Sequence, residues 1–294
     1  MFEDFCNWFN NDIGSEIEDH VNLGLDAAFE RHYKEERQKP GMRMSALGKP
    51  AMVTALQKLG YYEPEPRGHL RYIFFLGDVF ENVLGELFKA YGYKVIADQT
   101  KHPEDTKVTW NGLGGHFDYM IDVDGHKVLI EAKTMSGNYA RQFLKEPNDD
   151  RGYITQLALY RAALGNPLAA WLIMDKSTGL MHVVWPDLPY LDDALERAQK
   201  VMERLERVET LEDVFRLFRP PPGRPEVYQR QETGRYLVPT SMSFSPYKSA
   251  VYKLTQEPNG YNKMTDYVYA YGDAKHAKDR LDALVESGAL NYGQ

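Results

Sequence analysis

The sequence predicts an α/β fold in which a central mixed β-sheet is flanked by helices. A long helical pattern over residues 69–91 is followed by strand-like segments that end at Lys133. A second helical pattern at 152–164, a hairpin pattern at 169–185 and an amphipathic helical pattern at 191–208 complete the series. Helices and strands that succeed one another in this way are typical of a sheet covered by helices.

The part of the chain before the strands is predicted to be helical. One helical pattern runs from Ser15 to about Gln38, and Ser15 and Glu18 have the spacing of a capping box. A shorter helix is expected from Ser45 to about Leu59, and the proline-containing segment YYEPEPRG is expected to be a loop. In the long helix that follows, an apolar stripe predicts the side that faces the core: Ile73, Phe80, Leu84, Leu87 and Phe88.

The sequence pattern changes after residue 218. RPPPGRP at 219–225 predicts a linker, and a tyrosine-rich tail with little periodicity follows it up to a helical pattern at about 273–287. We therefore expect a helical N-terminal region at 1–68, a core at 69–218 and an irregular C-terminal extension at 219–294 that packs on the core.

Size and composition limit the classes of protein that the chain can belong to. Its 294 residues can bury a full hydrophobic core. The sequence has no run of about 18 apolar residues, so we expect a cytoplasmic protein without a membrane partner. The single cysteine, Cys6, excludes an intramolecular disulfide and a thiolate-rich metal site. The net charge of −8 argues against broad coating of nucleic acid, although 35 Lys and Arg residues leave room for a local basic channel.

The segment GGHFDYMIDVDGHKVLIEAK, residues 114–133, predicts a β-hairpin. Asp124-Gly125 is a strong signal for a two-residue turn, because glycine accepts the positive φ that such a turn needs. The resulting register places Asp118 opposite Glu131, and His116 opposite Lys133. One face of the hairpin is then entirely apolar: Tyr119, Ile121, Val123, Val128, Ile130 and Ala132.

The pairing of Asp118 with Glu131 predicts a metal site on the other face. Opposed residues have Cβ atoms about 5 Å apart, a separation at which like charges destabilise a hairpin. A divalent cation between the carboxylates would remove this repulsion, and carboxylate oxygens favour Mg²⁺ or Mn²⁺ over Zn²⁺. Two alternatives remain open from the residues alone. The charged face could simply be solvated, and a bulge could shift the register by one residue and separate the carboxylates.

Two helical segments add polar residues at helical spacing. Gly77, Glu81 and Gly85 lie four residues apart on one stripe of the long helix. Each glycine costs a helix about 1 kcal/mol relative to alanine, so we expect this stripe to approach a strand or a ligand closely, with Glu81 reaching inward. Gln156 and Tyr160 share a face of the later helix. The alternatives are a solvent-facing Glu81 between glycines that serve packing, and a surface Gln156 beside a half-buried Tyr160.

Together these residues resemble the PD-(D/E)XK nuclease superfamily, specifically its RecB-like exonuclease branch. That branch is marked by an Asp, then by E-x-K, then by Q-x-x-x-Y, which here match Asp118, Glu131 with Lys133, and Gln156 with Tyr160. Glu81 fits the preceding helical position, where lambda-exonuclease-type enzymes carry an acid. The resemblance runs from about residue 43 to residue 252 and implies a restriction-endonuclease-like core.

The resemblance also implies the chemistry of the site. The reaction would be hydrolysis of a phosphodiester with Mg²⁺ or Mn²⁺ as cofactor. Asp118, Glu131, Glu81 and the backbone carbonyl of Ala132 would be metal ligands. Lys133 would orient the attacking water and offset charge on the phosphate. Gln156 and Tyr160 would support the active-site loop or the nucleotide.

One departure from the family concerns an iron–sulfur cluster. Many RecB-like nucleases bind such a cluster through one early cysteine and three cysteines in a C-terminal CxxCPYKxxC segment. The segment MSFSPYKSAVY keeps Pro246, Tyr247 and Lys248. The cysteine positions are taken by other residues: Met242, Ser245, Val251 and, by analogy in the early segment, Lys49. We therefore expect no cluster and expect side-chain packing in its place.

A nuclease of this kind also needs residues that contact DNA near an acidic site. The candidates for the basic rim, together with a histidine beside the hairpin, are His116, Arg43, Lys49, Arg67, Arg71, Lys101, Lys107, Arg141, Lys145 and Arg151. The candidates for stacking on unpaired bases are Tyr61, Tyr62, Tyr139 and Tyr153.

The function implied by the resemblance is that of a metal-dependent DNA exonuclease. It would act at DNA ends, preferably on single strands, as bacteriophage enzymes do in recombination or genome processing, and its protein partner would be a single-strand annealing or binding protein. A structure-selective endonuclease on the same core and a catalytically idle DNA-binding protein are the alternatives. The complete set of Glu81, Asp118, Glu131 and Lys133 argues against the idle protein, because an idle site has no physical reason to keep opposed carboxylates.

Overall fold

The computed structural model describes residues 2–34, 42–64, 68–243, 245–259, 261 and 263–293. The chain divides into two compact units. The first comprises Met1–Gln38, Pro66–Asp149 and Tyr153–Glu196, and the second comprises Lys39–Glu65, Asp150–Gly152 and Arg197–Gln294. This division differs from the expected regions 1–68, 69–218 and 219–294, because 39–65 and 150–152 belong to the same unit as the C-terminal part.

The described part of the chain contains helices and strands in alternation. The helices are α1 (Phe2–Asn7), α2 (Glu18–Lys34), α3 (Ala51–Lys58), α4 (His69–Tyr91), α5 (Gly137–Lys145), α6 (Tyr153–Ala163), α7 (Leu188–Leu205), α8 (Leu211–Leu217), α9 (Lys248–Val251) and α10 (Ala274–Glu286). The strands are β1 (Tyr61–Tyr62), β2 (Lys94–Asp98), β3 (Lys107–Trp110), β4 (Leu113–His116), β5 (Tyr119–Val123), β6 (His126–Met135), β7 (Leu168–Asp175), β8 (Met181–Val184), β9 (Arg224–Tyr228), β10 (Gln231–Leu237), β11 (Tyr252–Pro258), β12 (Met264–Tyr271) and β13 (Asn291–Tyr292). None of the helices in these ranges has both the length and the apolar character that a membrane crossing requires.

The first unit is built on a five-stranded mixed sheet in the order β2-β5-β6-β7-β8. β6 and β7 are parallel, and the other neighbours are antiparallel. Residues of α1 and α4 pack with one face of this sheet in a single hydrophobic core, whereas α5 and α6 contact β7. The predicted α/β class, with a mixed sheet flanked by helices, is confirmed.

The β5–β6 hairpin has the register that its turn predicts. Val123 pairs with His126 and Tyr119 with Ile130, and both turn residues have positive φ. Every member of the predicted apolar face lies in the core between the sheet, α1 and α4. The other face is not solvated at the carboxylates, because Glu131 is 0% exposed and Asp118 is 7% exposed. The solvated-face alternative is therefore wrong at these two residues.

The ladder ends earlier than the sequence pattern predicts. The last β5–β6 pair is Tyr119 with Ile130, and Phe117 and Asp118 precede the strand. His116 belongs to β4 and pairs with Lys107 of β3. The predicted ladder pairs Asp118–Glu131 and His116–Lys133 are therefore both wrong, because the chain leaves the β5–β6 ladder at Asp118.

The second unit contains a sheet that the sequence analysis missed. β11, β12, β10 and β9 form a four-stranded antiparallel sheet in that order. The expectation of an irregular C-terminal extension is therefore wrong, although the expected last helix is present as α10. Register shifts between Glu232 and Tyr236 and between Lys253 and Leu254 interrupt the two-residue period by which strands are recognised.

The segment at the cysteine positions of the family is packed within the second unit. Met242 and Val251 are fully buried. The hydroxyl of Tyr247, which is also fully buried, donates a hydrogen bond of 2.8 Å to the carbonyl of Tyr61. Apolar contacts and this hydrogen bond stabilise the segment.

The two glycines around Glu81 in α4 have different surroundings. A Cβ at Gly85 would lie 2.9 Å from Oδ2 of Asp98 and 3.2 Å from ring and hydroxyl atoms of Tyr119. At Gly77 a Cβ would meet no described heavy atom within 4 Å. Gly85 therefore allows α4 to approach β2 and β5 closely, as its stripe predicts, whereas Gly77 faces open space.

Replacement of these glycines by alanine should have opposite effects. Gly85→Ala should lower the free energy of unfolding by about 1–3 kcal/mol, because the new methyl group overlaps buried atoms. Gly77→Ala is the matched control and should raise it by up to about 1 kcal/mol through helix propensity alone. Urea denaturation measures both values. Equal effects of the two substitutions would contradict the close approach at Gly85.

Candidate active site

Glu131, Lys133 and Asp118 converge at the point where β5 begins. Glu131 and Lys133 are two residues apart on β6 and therefore project from the same face. The Lys133 ammonium lies 2.6 Å from Oε1 of Glu131 and 4.0 Å from Oδ2 of Asp118. Oδ2 of Asp118 also accepts a hydrogen bond of 2.8 Å from the Ala132 amide. The two acids predicted from the hairpin are thus held on one side of the sheet by a shared lysine.

Glu81 brings a third carboxylate to this group from α4. Its Oε2 accepts a hydrogen bond of 3.1 Å from Nη1 of Arg31, a residue of α2. The hydroxyl of Tyr119 donates to the backbone carbonyl of Glu81 and so fixes this turn of α4 to the strand that follows Asp118. The charge of Asp118 raises the pKa of Glu81 and that of Lys133 lowers it, so its carboxylate lies within electrostatic reach of both groups.

The site holds more negative than positive side chains in a buried environment. Burial, and then the neighbouring Asp118, raise the pKa of Glu131 to about 8. Burial and Asp118 likewise raise the pKa of Glu81 to about 7, and burial raises the pKa of Asp118. Burial alone would lower the pKa of Lys133, but Glu131 and Asp118 raise it. The positive charge near the three carboxylates is therefore too small to keep them all ionised. Lys133 stays protonated at neutral pH.

These residues fit a divalent cation with hard oxygen ligands. Oε2 of Glu131 is buried and has no hydrogen-bond partner among the described residues. A buried carboxylate oxygen without a partner is costly, and a metal ion would remove that cost. The carboxylate oxygens of Asp118, Glu131 and Glu81 do not all lie within 4.8 Å of one another. Within the described ranges, the group with three ligand atoms inside 4.8 Å of one another is the exposed set His102, Glu104 and Asp105.

Gln156 and Tyr160 lie on α6 next to the carboxylates. The Gln156 amide donates a long hydrogen bond of 3.4 Å to the Tyr160 hydroxyl. Burial, and then the charge of Glu131, raise the pKa of Tyr160. Asp149 fixes the start of α6 by accepting hydrogen bonds from the Ile154 and Thr155 amides. The structure therefore brings this predicted pair to the Glu131 side of the site.

Tyr153 is a predicted DNA contact that lies beside the site. Its ring centroid is 5.5 Å from the Lys133 ammonium. Arg71 on α4 and Arg141 on α5 are exposed residues of the first unit. His116 lies apart from Lys133, with Nδ1 2.9 Å from the carbonyl of Pro103.

The other predicted contacts are placed as follows. Arg43, Lys49 and Arg151 belong to the second unit, as do Tyr61 and Tyr62. Lys49 forms an ion pair of 3.7 Å with Glu63. Lys101 forms an ion pair of 3.4 Å with Glu86. Arg67 lies outside the described residues.

Sequence reasoning missed two contributors to the site. Arg31 is not among the predicted site residues, because its pairing with Glu81 depends on a helix–helix contact that residue spacing does not reveal. Tyr119 was assigned to the apolar face, where its ring does lie, but its hydroxyl makes the polar contact with Glu81. A tyrosine in an otherwise aliphatic strand face was the one available signal, because a buried hydroxyl needs a partner.

Comparisons with known proteins give distant structural similarities. No protein-family model matches the chain, and no curated protein matches it. The solved structure of SSO0001 covers 67% of this chain and 88% of its own, with 14% identity and a TM-score of 0.36. An alkaline exonuclease, LHK-Exo from Laribacter hongkongensis, covers 65% of this chain and 93% of its own, with 14% identity and a TM-score of 0.36.

The raised pKa of Glu131 predicts how the stability of the metal-free protein depends on pH. The ordinary pKa of 4.5 applies to the unfolded chain, and the folded value is about 8. Between these values the folded state binds more protons, so the free energy of unfolding should fall as the pH rises from about 5 to 8. Glu131→Gln removes this titration and should flatten the curve. Urea denaturation in EDTA measures both curves.

The matched control for this measurement is Glu104→Gln, because Glu104 is exposed. This variant should keep the pH dependence of the wild type. Parallel curves for the wild type and Glu131→Gln would show that Glu131 ionises normally in the folded protein.

Proposed function

We propose that this protein is a metal-dependent deoxyribonuclease of the PD-(D/E)XK type that hydrolyses phosphodiester bonds at DNA ends, preferably in single-stranded DNA. The observation that carries the proposal is the group formed by Asp118, which directly precedes β5, and by Glu131 and Lys133 of the neighbouring strand β6. Glu81 stands beside this group, and one oxygen of Glu131 has no partner among the described residues. A purely structural ion pair would not need the additional acids.

The cation would be Mg²⁺ or Mn²⁺, with Asp118, Glu131, Glu81 and the carbonyl of Ala132 as ligands. When bound, such an ion neutralises the phosphate and lowers the pKa of a coordinated water. The amide of Ala132 keeps the Asp118 carboxylate in one orientation. The unpaired oxygen of Glu131 supports its role as a ligand, because this oxygen is available for coordination.

In the reaction, a water oxygen forms a bond to phosphorus and the phosphorus–oxygen bond to one neighbouring sugar breaks. The leaving oxygen takes up a proton, and the water loses one. Lys133 is protonated because both acids raise its pKa, so it acts as a positive charge and hydrogen-bond donor at the phosphate and not as the general base. Gln156 and Tyr160 position the Glu131 side of the site.

DNA is the proposed substrate because an aromatic ring lies beside Lys133 and exposed arginines are present on two helices of the same unit. Arg71 and Arg141 are exposed on α4 and α5, and Tyr153 lies beside Lys133. The ring of Tyr153 can stack on an unpaired base, which supports a single-stranded substrate. The resemblance of the site motifs leads us to include a role in bacteriophage recombination or genome processing in this proposal. The partner would be a single-strand annealing or binding protein.

Substitutions in the group should abolish DNA cleavage. Lys133→Met should lower kcat by at least about 100-fold, because it removes the positive charge that offsets the negative charge developing on the phosphate. Asp118→Asn should have a comparable effect through loss of the metal. End-labelled linear single strands and circular single strands, incubated with Mg²⁺ or Mn²⁺, measure cleavage.

The double variant Glu104→Gln/Asp105→Asn is the control for cleavage and should leave the rate unchanged, because these exposed acids lie in the other acidic group. Cleavage of circular as well as linear strands would favour the endonuclease alternative. Full activity of Lys133→Met would remove Lys133 from the mechanism.

Binding of the ion can be tested without activity. Mg²⁺ or Mn²⁺ should raise the Tm of the wild type, because a ligand that binds only the folded state stabilises it. The double variant Asp118→Asn/Glu131→Gln should lose this shift. Differential scanning fluorimetry across a metal titration measures both. A shift that survives in this double variant but disappears in Glu104→Gln/Asp105→Asn would place the ion at the exposed group.

A further inference from the structure

The two units of the chain differ in net charge. The first unit contains 15 Lys and Arg residues and 27 Asp and Glu residues, a net charge of −12. The second unit contains 20 Lys and Arg residues and 16 Asp and Glu residues, a net charge of +4, and the two values together give the −8 of the chain. Positive charge attracts DNA and negative charge repels it. The second unit therefore has the net charge that suits a polyanion.

The sheet of the second unit exposes a tyrosine on each of its two inner strands. Tyr236 of β10 is 51% exposed and Tyr271 of β12 is 52% exposed. The ring of Tyr271 lies against the ring of the buried Tyr252, with the two centroids 6.1 Å apart. This contact holds the ring in place while half of the residue stays in solvent. A ring that is held in this way is ready to stack on a planar ligand.

Tyr236 lies on the same face of the sheet as Val268 of β12. A Cβ at Gly223, which precedes β9, would lie 3.1 Å from the Cβ of Tyr236 and 3.7 Å from the Cβ of Val268. One point outside the strands is thus close to the Cβ atoms of both residues. The side chains of Tyr236 and Val268 therefore project from one face.

A bulge in β12 brings Tyr271 to this face as well. Val268 pairs with Leu254 of β11. Tyr271 pairs with Tyr252, which precedes Leu254 by two residues. Paired residues share a face, and so do residues two apart on one strand. Tyr271 therefore lies on the face of Val268, although the two are three residues apart on β12, because Tyr269 is the extra residue of the bulge.

We propose that this face of the second sheet, the tyrosine face, binds single-stranded DNA, with Tyr236 and Tyr271 stacking on unpaired bases. Aromatic rings stack on bases of any sequence once the bases are unpaired. The positive charge of the second unit attracts the phosphates of the strand. The inference rests on the proposed function for its choice of ligand. It adds a surface for the substrate in a different unit from Asp118, Glu131 and Lys133.

Strands with and without bases test the stacking. Fluorescence anisotropy measures the Kd of the full-length protein for a labelled dT strand of about 12 nucleotides and for an abasic strand of the same length. EDTA is present, so metal-dependent cleavage does not occur. The wild type should bind the dT strand at least about tenfold more tightly, because each stacked base adds to the affinity. Equal affinities of the wild type for the two strands would overturn the inference, whether or not any variant folds.

Substitution of the two tyrosines should reduce this preference for bases. Tyr236→Ala/Tyr271→Ala should weaken binding of the dT strand at least about tenfold. It should change binding of the abasic strand less than about twofold, because the contacts with phosphates remain. Tyr236→Phe/Tyr271→Phe keeps both rings and should bind like the wild type. The matched control is Tyr190→Ala, which should keep the wild-type affinity, because Tyr190 is also 51% exposed but belongs to the first unit.

The outcomes separate the tyrosine face from the proposed function. Equal dT affinities of the wild type and the folded alanine double variant would overturn the role of the face, even if the wild type cleaves DNA in Mg²⁺. A wild type that binds as expected but does not cleave in Mg²⁺ would overturn the nuclease proposal and leave the face as a binding surface. Analytical ultracentrifugation tests the other occupant. A wild-type dimer that becomes a monomer in the alanine double variant would assign the face to a second copy of the chain and overturn the inference.

Discussion

The contact of the Lys133 ammonium with Glu131 and Asp118 is the interaction on which the rest of the site depends. Both carboxylates are buried, and the charge of Asp118 raises the pKa of Glu131, so the two repel each other when both are ionised. Lys133 offsets part of that repulsion from distances of 2.6 and 4.0 Å. The remaining excess of negative charge is what a divalent cation would neutralise. The same feature that weakens the metal-free fold would therefore favour the binding of a cation, and a stability cost of this kind is expected where groups are arranged for function.

The surrounding fold serves to hold these groups in place. Glu131 is fully buried where β6 pairs with β7 in parallel, and its charge acts on Tyr160 of α6, which also bonds Gln156. Two glycines set the helix positions: Gly85 lets α4 approach β5, and Gly24 lets α2 approach α4. Because backbone approaches of this kind allow little movement, Glu81 and Arg31 are fixed relative to the strands although they come from separate helices.

Much of the core hairpin could be predicted from the sequence, because the Asp124-Gly125 turn fixes the register and the alternation fixes the faces. The same reasoning failed at His116, where the chain leaves the ladder at Asp118 and a periodic pattern gives no sign of it. The second sheet was missed because bulges in its strands disturb the two-residue period. Arg31 could not be found from the sequence, since its position is decided by the packing of α2 against α4.

Diffraction from crystals soaked in Mn²⁺, measured at the manganese absorption edge, tests the central claim most directly. The account predicts an anomalous difference peak within coordination distance of Asp118 and Glu131, with Lys133 displaced little from its present contacts. A soaked crystal with no peak between these carboxylates, or with the ion only at His102, Glu104 and Asp105, would contradict the claim that the buried acids form a metal site.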